Sequence, residues 1–315
     1  MSGTEGTGWE RGVLEKLALE ALVEQRRRRR WSVFFRLLTF IYLGVILWKV
    51  ADWGEPAEAL APAGGYTAMV SVEGVIDSGS EASAERVIGA LRSAYDDKAV
   101  RGVVLRINSP GGSPVQAGMI NDEIYRLRGE RPDLPVVAVV EDMCASGGYY
   151  VAAAADKIMV DKASLVGSIG VLMDGFGFVG AMEKLGVERR LLAAGANKGF
   201  LDPFSPQRET QTAHARGLLD DIHRQFIDVV RKGRGPRLKE GPELFSGLVW
   251  TGARSVELGL ADGYGTVDSV ARDVFQAEEV RDFTETRSFA ERFAQRFGAG
   301  VTESLATALR GVTLR

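Results

Sequence analysis

The chain has little of the side-chain chemistry on which many enzyme sites are built. Its 315 residues include one cysteine, Cys144, and two histidines, His214 and His223. A single cysteine excludes an intrachain disulfide framework and a thiolate metal cluster, and two histidines argue against a histidine-rich metal site. The sequence therefore predicts neither a bound metal nor a cofactor.

The chain also lacks an excess of charge of either sign. Its 39 Lys and Arg nearly balance 42 Asp and Glu, which leaves a formal net charge of −3. Because nucleic-acid-binding domains carry a basic surface, the composition indicates no nucleic-acid partner. The hydrophobic content of 45% is enough for one large domain or two small ones.

An arginine run precedes the most apolar part of the sequence. Residues 26–30 are all arginine, and an apolar segment with tryptophans near both ends follows at 31–53. The window 32–51 has the about 20 residues that a membrane span needs, provided that Arg36 and Lys49 extend to the interfaces. Because basic residues stay on the cytoplasmic side, this pattern predicts a cytoplasmic segment at 1–30 and a signal anchor at 31–52.

This anchor predicts a single-pass protein of the cell (inner) membrane, with its catalytic domain on the periplasmic or extracellular side. Two alternatives stay open. A cleaved signal peptide is disfavoured because the first small-residue cleavage site, at 59–61, lies far beyond the apolar run. The second alternative is that the apolar segment forms an interfacial or buried helix. Ala, Gly and Pro then dominate a predicted linker at 53–65.

The body of the chain alternates apolar strand patterns with helical patterns. This βαβα order predicts an α/β fold with a largely parallel sheet in one domain, residues 66–278. The predicted strands are 66–76, 100–108, 134–142 and 157–162, and the predicted helices are 81–97, 114–129, 146–156, 207–232 and two within 251–275. A tail at 279–315 carries an apolar residue at every fourth position from Phe289 to Leu309, typical of an amphipathic helix. Two alternatives stay open for this tail: packing on its own domain, or contact with a neighbouring subunit or the membrane surface.

Two glycine-rich turns follow neighbouring predicted strands, at 108–113 (NSPGGS) and 145–150 (ASGGYY). Gly111 and Gly112 permit backbone conformations that turn their N–H groups toward a ligand, as in an oxyanion hole. Ser146 is a candidate nucleophile, but it is also a good helix N-cap. The turns of adjacent parallel strands meet at one edge of the sheet, so one turn can supply N–H donors and the other the nucleophile.

A serine nucleophile needs a base, and the sequence offers no obvious one. The two histidines lie on a charged predicted helix, which is typical of solvated surface residues. A lysine can serve when burial favours its neutral form, and Lys198 lies in a loop with glycine, phenylalanine and proline that could cover it. Cys144 has no neighbouring cation to form a thiolate, so we expect it to pack beneath the turn.

Taken together, five motifs resemble the signal peptide peptidase A (SppA, SohB-like) family of membrane-anchored Ser-Lys serine proteases. The motifs occur in one order along the chain: NSPGGS, ASGGYYVAAAAD, VGSIGV (166–171), NKGFLDPFSP (197–206) and GLVWTGARSVELGLADGYG (247–265). The resemblance implies a crotonase- or ClpP-like fold. It also implies Ser146 as nucleophile, Lys198 as general base and Ser168 as the residue that orients the lysine. The oxyanion donors that it implies are Gly111 or Gly112, with Gly147.

The resemblance further implies hydrophobic peptide substrates, such as cleaved signal peptides, and a ring-shaped homo-oligomer, an octamer, in which Lys198 acts on a neighbour's Ser146. The chain departs from the family pattern at Cys144, in the glycine-rich stretch 172–187 and at residues 201–202. Two rival functions stay open. One is a crotonase-like acyl-CoA enzyme that would use Glu141 and Asp142, and the other is an inactive membrane scaffold.

Overall fold

The computed structural model describes residues 25–46 and 64–285 of the chain. It divides the chain into two compact units, residues 1–60 and 61–315. The described part of the first unit is one helix, α1 (residues 25–46), which includes the arginine run. Near its start, the aromatic ring of Trp31 stacks on that of Phe35, with ring centroids 5.6 Å apart.

In the described ranges, 25–46 and 64–285, no helix is long and apolar enough to cross a membrane. The predicted anchor at 31–52 runs past residue 46, so its last part lies outside the described residues. The predicted anchor is not confirmed and stays a prediction. Most of the predicted cytoplasmic segment and linker, and the apolar stripe of the tail, also lie outside them.

The second unit contains an eight-stranded sheet and seven further helices within residues 64–285. The strands are β1 (Tyr66–Glu73), β2 (Val100–Ser109), β3 (Val136–Ala145), β4 (Lys157–Val160), β5 (Leu165–Gly167), β6 (Val249–Thr251), β7 (Gly263–Tyr264) and β8 (Val280–Asp282). The helices are α2 (Ala84–Asp96), α3 (Pro114–Glu130), α4 (Gly147–Ala152), α5 (Val179–Leu185), α6 (Glu209–Arg234), α7 (Gly252–Glu257) and α8 (Val267–Ser269).

The sheet has the strand order β6-β5-β3-β2-β1-β8, with β4 pairing with β3 beside β5, and β7 pairing with β4. Neighbouring strands are parallel except for the β5–β6 pair. The prediction of a mixed α/β fold with a largely parallel sheet is confirmed. The expected kinship to the crotonase or ClpP fold stays a prediction.

Apolar side chains alternate along the central strands and build a core on each face of the sheet. The larger core joins β1–β3 to α2, α3, α4 and α6, and it includes Leu105, Ile124, Tyr149 and Phe226. A smaller core on the opposite face packs Val137 and Val139 against the segment around Phe275. Because both faces of the central strands are covered, β2 and β3 are held rigidly, and their carboxyl ends can position a site.

Most of the long predicted elements occur close to their predicted bounds, whereas the short ones β5, β6, β7 and β8 were not predicted. β8 pairs with β1 and lies beyond residue 278, where the predicted domain ends. The described part of the second unit continues to residue 285, and Phe283 N–H donates to the Met69 carbonyl oxygen. The first residues of the predicted tail therefore belong to the sheet edge.

A buried carboxylate ties α2 to α3. Glu123, on α3, has a side chain only 9% exposed, and it accepts hydrogen bonds from Arg92 of α2 at 2.7 Å and from Arg126 at 2.7 and 2.9 Å. Hydrogen bonds from Arg126 and Arg92 lower the pKa of Glu123 from 4.5 to about 2. The charged form is thereby stabilised only in the folded state.

We predict that Glu123→Gln lowers the free energy of unfolding at pH 7 by about 2 kcal/mol, because it removes charge-assisted hydrogen bonds. A depressed carboxyl pKa stabilises the fold above pH 4.5 and loses this effect as the pH falls toward 2. Wild type should therefore lose more stability than the variant between pH 5 and pH 3, as measured by urea denaturation. Glu130→Gln, which removes an exposed Arg126 partner on the same helix, is the matched control. An unchanged pH dependence in Glu123→Gln would contradict this account.

Candidate active site

Backbone hydrogen bonds hold the Pro-Gly-Gly turn after β2 against the chain segment that follows β1. Gly74 N–H donates to the Asn108 carbonyl oxygen (2.9 Å), Ile76 N–H to that of Gly111 (2.9 Å), and Ser113 N–H to that of Ile76 (2.7 Å). A side chain on Gly112, whose φ is 152°, would overlap the Ile76 carbonyl oxygen. The turn therefore requires glycine at this position, as the sequence predicts.

These bonds leave one amide of the turn free. Pro110 has no N–H, Gly111 N–H donates to Ser109 Oγ (3.1 Å), and Ser113 N–H is bonded to Ile76. Among the described residues, Gly112 N–H has no hydrogen-bond partner. Of the two glycines predicted as oxyanion donors, the fold leaves the amide of Gly112 available and occupies that of Gly111.

Ser146 lies at the junction of β3 and α4 in a strained conformation. Its φ of 51° and ψ of −122° are rare for a residue with a side chain. The backbone is held by two bonds, from Ser146 N–H to the Gly167 carbonyl oxygen (2.8 Å) and from Tyr150 N–H to that of Ser146 (3.0 Å). The side chain occupies the N-cap position but makes no capping hydrogen bond. A strained strand-to-helix turn with a free serine hydroxyl is the geometry of a nucleophile elbow.

The two glycine turns touch. A Cβ built on Gly111 would lie 2.7 Å from Ser146 Cβ and 2.6 Å from Gly147 N, and one built on Gly147 would lie 3.2 Å from Gly112 N. Gly147 is the first residue of α4, and its N–H has no partner among the described residues. The structure thus brings the Ser146 hydroxyl group and the free amides of Gly112 and Gly147 together.

Ser168 follows β5, the strand next to β3, and it faces the same cavity as Ser146. It also has a positive φ, 51°, and its N–H donates to the Leu248 carbonyl oxygen at 2.8 Å. The cavity has a volume of about 510 Å³ and is lined by both serines. Its other lining residues are Gly112, Pro114, Gly147, Tyr150, Gly170, Val171, Leu172, Ile222, Phe226, Ser246 and Gly247.

One part of the aromatic and aliphatic wall of this cavity comes from α4 and α6. Tyr150 and Phe226 pack with ring centroids 5.1 Å apart, and Ile222 lies one helical turn before Phe226. These residues were not among the predicted site residues. The signal was an apolar stripe, Ile222, Phe226 and Val230, within an otherwise charged helix, but the stripe alone does not tell a cavity wall from core.

Lys198 is not among the residues that line this cavity. It is exposed in a loop after α5, where its N–H donates to the Gly195 carbonyl oxygen at 3.1 Å. Asp202 organises this loop by accepting hydrogen bonds from Ser205 Oγ (2.7 Å) and Phe204 N–H (3.4 Å). These bonds lower the pKa of Asp202. Within one chain, the structure brings Ser146 and Ser168 together but not Lys198.

The two histidines have different surroundings. His214 is exposed, as the sequence predicts, and its ring meets Phe200 edge-on. His223 is half-buried, so its expected place on a solvated surface is wrong. Its Nε2 lies 3.1 Å from the Ile169 carbonyl oxygen, next to Ser168. Since a carbonyl oxygen only accepts, Nε2 carries the proton in this contact.

Cys144 is fully buried in the core beneath the Ser146 turn. Burial raises the pKa of its thiol, so the thiolate that a nucleophile requires is disfavoured. The prediction that Cys144 packs beneath the turn is confirmed.

The two carboxylates that a crotonase-like acyl-CoA enzyme would use lie outside the cavity that contains Ser146. Glu141 and Asp142 are exposed and line a second cavity, of about 1030 Å³, together with Arg106, Asp161 and Asp268. Neither lines the cavity that contains Ser146. Within residues 25–46 and 64–285, no cluster of three or more His, Cys, Asp or Glu could hold a metal ion.

Comparison with known proteins assigns the chain to a family. The model of peptidase family S49 matches residues 130–281, a range that includes Ser146, Ser168 and Lys198. A protein of Synechocystis sp., named as a candidate protease, is 32% identical over 200 residues, which are 63% of this chain and 69% of that protein. The chain belongs to peptidase family S49. This membership confirms the resemblance that the motifs indicated and supports a serine protease.

Other relatives are much longer than the matched region. "Serine protease SPPA, chloroplastic" of Arabidopsis thaliana is 31% identical over 234 residues, 71% of this chain and 33% of that protein. A Brucella melitensis protein named Na(+)/H(+) antiporter NhaA is 45% identical over 187 residues, 59% of this chain and 25% of that protein. The chain thus spans only a quarter to a third of these two relatives, whose names describe the longer proteins.

The burial of Cys144 gives a direct test. We predict that a thiol reagent such as Ellman's reagent leaves the folded S49 protein unmodified and titrates one thiol per chain in guanidinium chloride, since Cys144 is the sole cysteine. Peptidase activity should persist after incubation of the native protein with the reagent. Rapid labelling with loss of activity would instead indicate an accessible thiol at the site.

Proposed function

We propose that this chain is a serine endopeptidase that uses a Ser146–Lys198 dyad. The observation that carries the proposal is the meeting of the two glycine turns. It places a serine hydroxyl group without a capping bond beside two free amides, those of Gly112 and Gly147. A nucleophile next to paired N–H donors is the arrangement required for acyl transfer.

In the proposed mechanism, neutral Lys198 Nζ takes the proton of Ser146 Oγ as the oxygen attacks the carbonyl carbon of the scissile peptide. The negative charge that forms on the carbonyl oxygen is stabilised by Gly112 N–H and Gly147 N–H. The C–N bond then breaks, and Lys198 gives the proton to the leaving amine. Lys198 then takes a proton from water as the water oxygen attacks the acyl carbon. The ester bond to Ser146 Oγ breaks, Lys198 gives the proton to Oγ, and the carboxylic acid product leaves. Ser168 would accept or donate a hydrogen bond that orients the lysine amine.

We propose that Lys198 reaches Ser146 from a neighbouring subunit of a homo-oligomer. Lys198 is exposed in its own chain, and the segment that leads to it from the cavity rim exposes many large apolar side chains. These are Leu172, Met173, Phe176, Leu185, Val187 and Leu192. Large exposed apolar surfaces mark interaction sites, and a second copy would complete the dyad at this one. Enclosure in the neighbour's apolar cavity would favour the neutral amine.

The substrates proposed are hydrophobic peptides, such as cleaved signal peptides. The support is the apolar lining of the cavity beside Ser146, to which Pro114, Val171, Ile222 and Phe226 contribute. An apolar side chain of a peptide could be desolvated there while its carbonyl carbon faces Ser146. The acyl-CoA alternative is weaker, because Glu141 and Asp142 face another cavity.

We further propose that the N-terminal region anchors the protein in the cell membrane, with the peptidase domain on the periplasmic or extracellular side. The support is the arginine run at 26–30 followed by apolar residues up to Trp48. Such an anchor would hold the enzyme where signal peptides remain after cleavage.

The dyad predicts that Ser146→Ala and Lys198→Ala each lower the rate of hydrolysis of an apolar peptide ester by at least about 1000-fold, since each removes a reacting group. Fluorophosphonate labelling should disappear in Ser146→Ala and be strongly slowed in Lys198→Ala. The controls are Lys184→Ala, an exposed lysine of α5, and His223→Ala, which removes the histidine nearest Ser168. Near-wild-type rates in both dyad variants, or a loss confined to His223→Ala, would reject the dyad.

Mixing distinguishes a dyad within one chain from a dyad between chains. Ser146→Ala and Lys198→Ala chains are unfolded together, or co-expressed, so that they assemble into mixed oligomers. If the dyad forms between subunits, activity returns, because a wild-type Ser146 can meet a wild-type Lys198. If it forms within one chain, each mixed oligomer stays as inactive as its parents.

The anchor predicts that the full chain stays in the membrane pellet after extraction at pH 11 and is released only by detergent. A variant with Leu37, Leu38, Ile41 and Val45 each changed to Ser should appear in the soluble fraction, because the apolar segment loses its favourable transfer to lipid. Release of the unmodified chain by alkali would contradict the anchor while leaving the proposed peptidase chemistry unaffected.

A further inference from the structure

We propose that Ser109 is a positioning residue that sets the geometry of the oxyanion hole. This inference goes beyond the proposed peptidase function and depends on it. Ser109 is the last residue of β2 and is fully buried. It does not line the cavity of Ser146, so it acts through the backbone of the Pro-Gly-Gly turn.

The hydroxyl group of Ser109 joins the two chain segments that make this region. Its Oγ donates to the Gly74 carbonyl oxygen at 2.6 Å and accepts from Gly111 N–H at 3.1 Å. One buried atom thus uses its donor on the segment after β1 and an acceptor lone pair on the turn after β2. Without the hydroxyl group, the buried Gly111 N–H would lose its hydrogen-bond partner away from water.

The bond to Gly111 decides which amide of the turn is available for substrate. Gly111 and Gly112 are consecutive, with φ values of 97° and 152° that only glycine adopts readily. Ser109 Oγ holds Gly111 N–H. Ile76 accepts from Ser113 N–H and donates to the Gly111 carbonyl oxygen, so it is bonded to both neighbours of Gly112. The peptide that carries Gly112 N–H therefore has little freedom to rotate. Loss of the hydroxyl group would free the Pro110–Gly111 peptide, whose N–H it holds. Rotation there would tilt the next peptide, which Ile76 N–H would then hold through the Gly111 carbonyl oxygen alone, and would misdirect the Gly112 N–H.

Ser109 also contacts the turn that carries the nucleophile. Ser109 and Cys144 are paired across β2 and β3. A Cβ built on Gly148, two residues after Ser146, would lie 3.0 Å from the Ser109 carbonyl oxygen and 3.3 Å from its Cβ. The same residue therefore supports both turns, and the spacing of the Gly112 and Gly147 amides depends on it.

The test is steady-state kinetics of Ser109→Ala in the full chain, with an apolar peptide ester as substrate. A misdirected oxyanion donor weakens binding of the transition state and leaves binding of the substrate intact. We expect kcat to fall roughly tenfold with KM nearly unchanged. A peptide aldehyde of the same sequence, which forms an oxyanion with Ser146, should bind weaker by a similar factor. In a Ser146→Ala background, Ser109→Ala should leave peptide affinity unchanged.

Ser113→Ala is the matched control. Ser113 belongs to the same turn, but its side chain caps α3 by accepting from Gln116 N–H at 3.4 Å and does not contact Gly111. The Ser113→Ala variant should have lower thermal stability but should not show the selective loss of kcat and of aldehyde affinity. Ser109→Cys, which has nearly the same shape and makes weaker hydrogen bonds, should fall between wild type and Ser109→Ala. If Ser109→Ala does not fold, the kinetics of Ser109→Cys test whether Ser109 sets the geometry of the oxyanion hole.

Wild-type kcat and aldehyde affinity in Ser109→Ala would overturn the inference, as would equal losses in Ser113→Ala at equal stability. A rise in KM alone would assign Ser109 to substrate binding and would also overturn it. Failure of the proposed function gives a different result, since Ser146→Ala would then retain activity whatever the effect of Ser109.

Discussion

The candidate site depends on the close contact between two backbone turns at the carboxyl ends of β2 and β3. The space between Gly111, Ser146 and Gly147 is too small for one more methyl group on Gly111, which would lie 2.7 Å from Ser146 Cβ. Glycine is therefore required for the packing of this region as well as for its dihedral angles. The two covered faces of the sheet fix the strands, so the strain at Ser146 is maintained by the surrounding structure and not by the turn alone.

The same contact separates the residues that line the cavity from Lys198. The nucleophile, the two amides and Ser168 all come from rigid sheet ends, whereas Lys198 lies on an exposed segment with few buried side chains. A base on such a segment cannot be held at a fixed distance from Ser146 without further contacts. A neighbouring copy packed on the apolar side chains of this segment would supply them, which is why assembly and activity are linked in the proposal.

The sequence predicts the longer strands and helices of this fold, because a periodic pattern of apolar residues needs length to be visible. The strands β1, β2 and β3 and the helices α2, α3 and α6 are long enough for apolar alternation or helical spacing to show. Strands β5 to β8 have two or three residues and carry no such pattern, although β5 positions Ser168. The glycine turns indicate an oxyanion hole, but the choice between Gly111 and Gly112 depends on the bond from Gly111 N–H to Ser109 Oγ. That hydroxyl group is placed by its bond to the distant Gly74 carbonyl oxygen, which no local motif specifies. In the proposed assembly, the surroundings of Lys198 include a neighbouring chain, and a single sequence carries no periodic pattern for such a contact.

Ser146 and Ser168 share one unusual feature, a positive φ of 51°, and they are joined through Gly167. Because Ser146 N–H donates to the Gly167 carbonyl oxygen, the turn that lifts the nucleophile out of β3 is bonded to the turn that lifts Ser168 out of β5. A change in either turn therefore moves both hydroxyl groups. An amine that enters the cavity and bonds to Ser168 would be aligned with Ser146 by this shared backbone. In the proposed mechanism, the two serines are therefore in place before the base arrives, which is compatible with a base that comes from another chain.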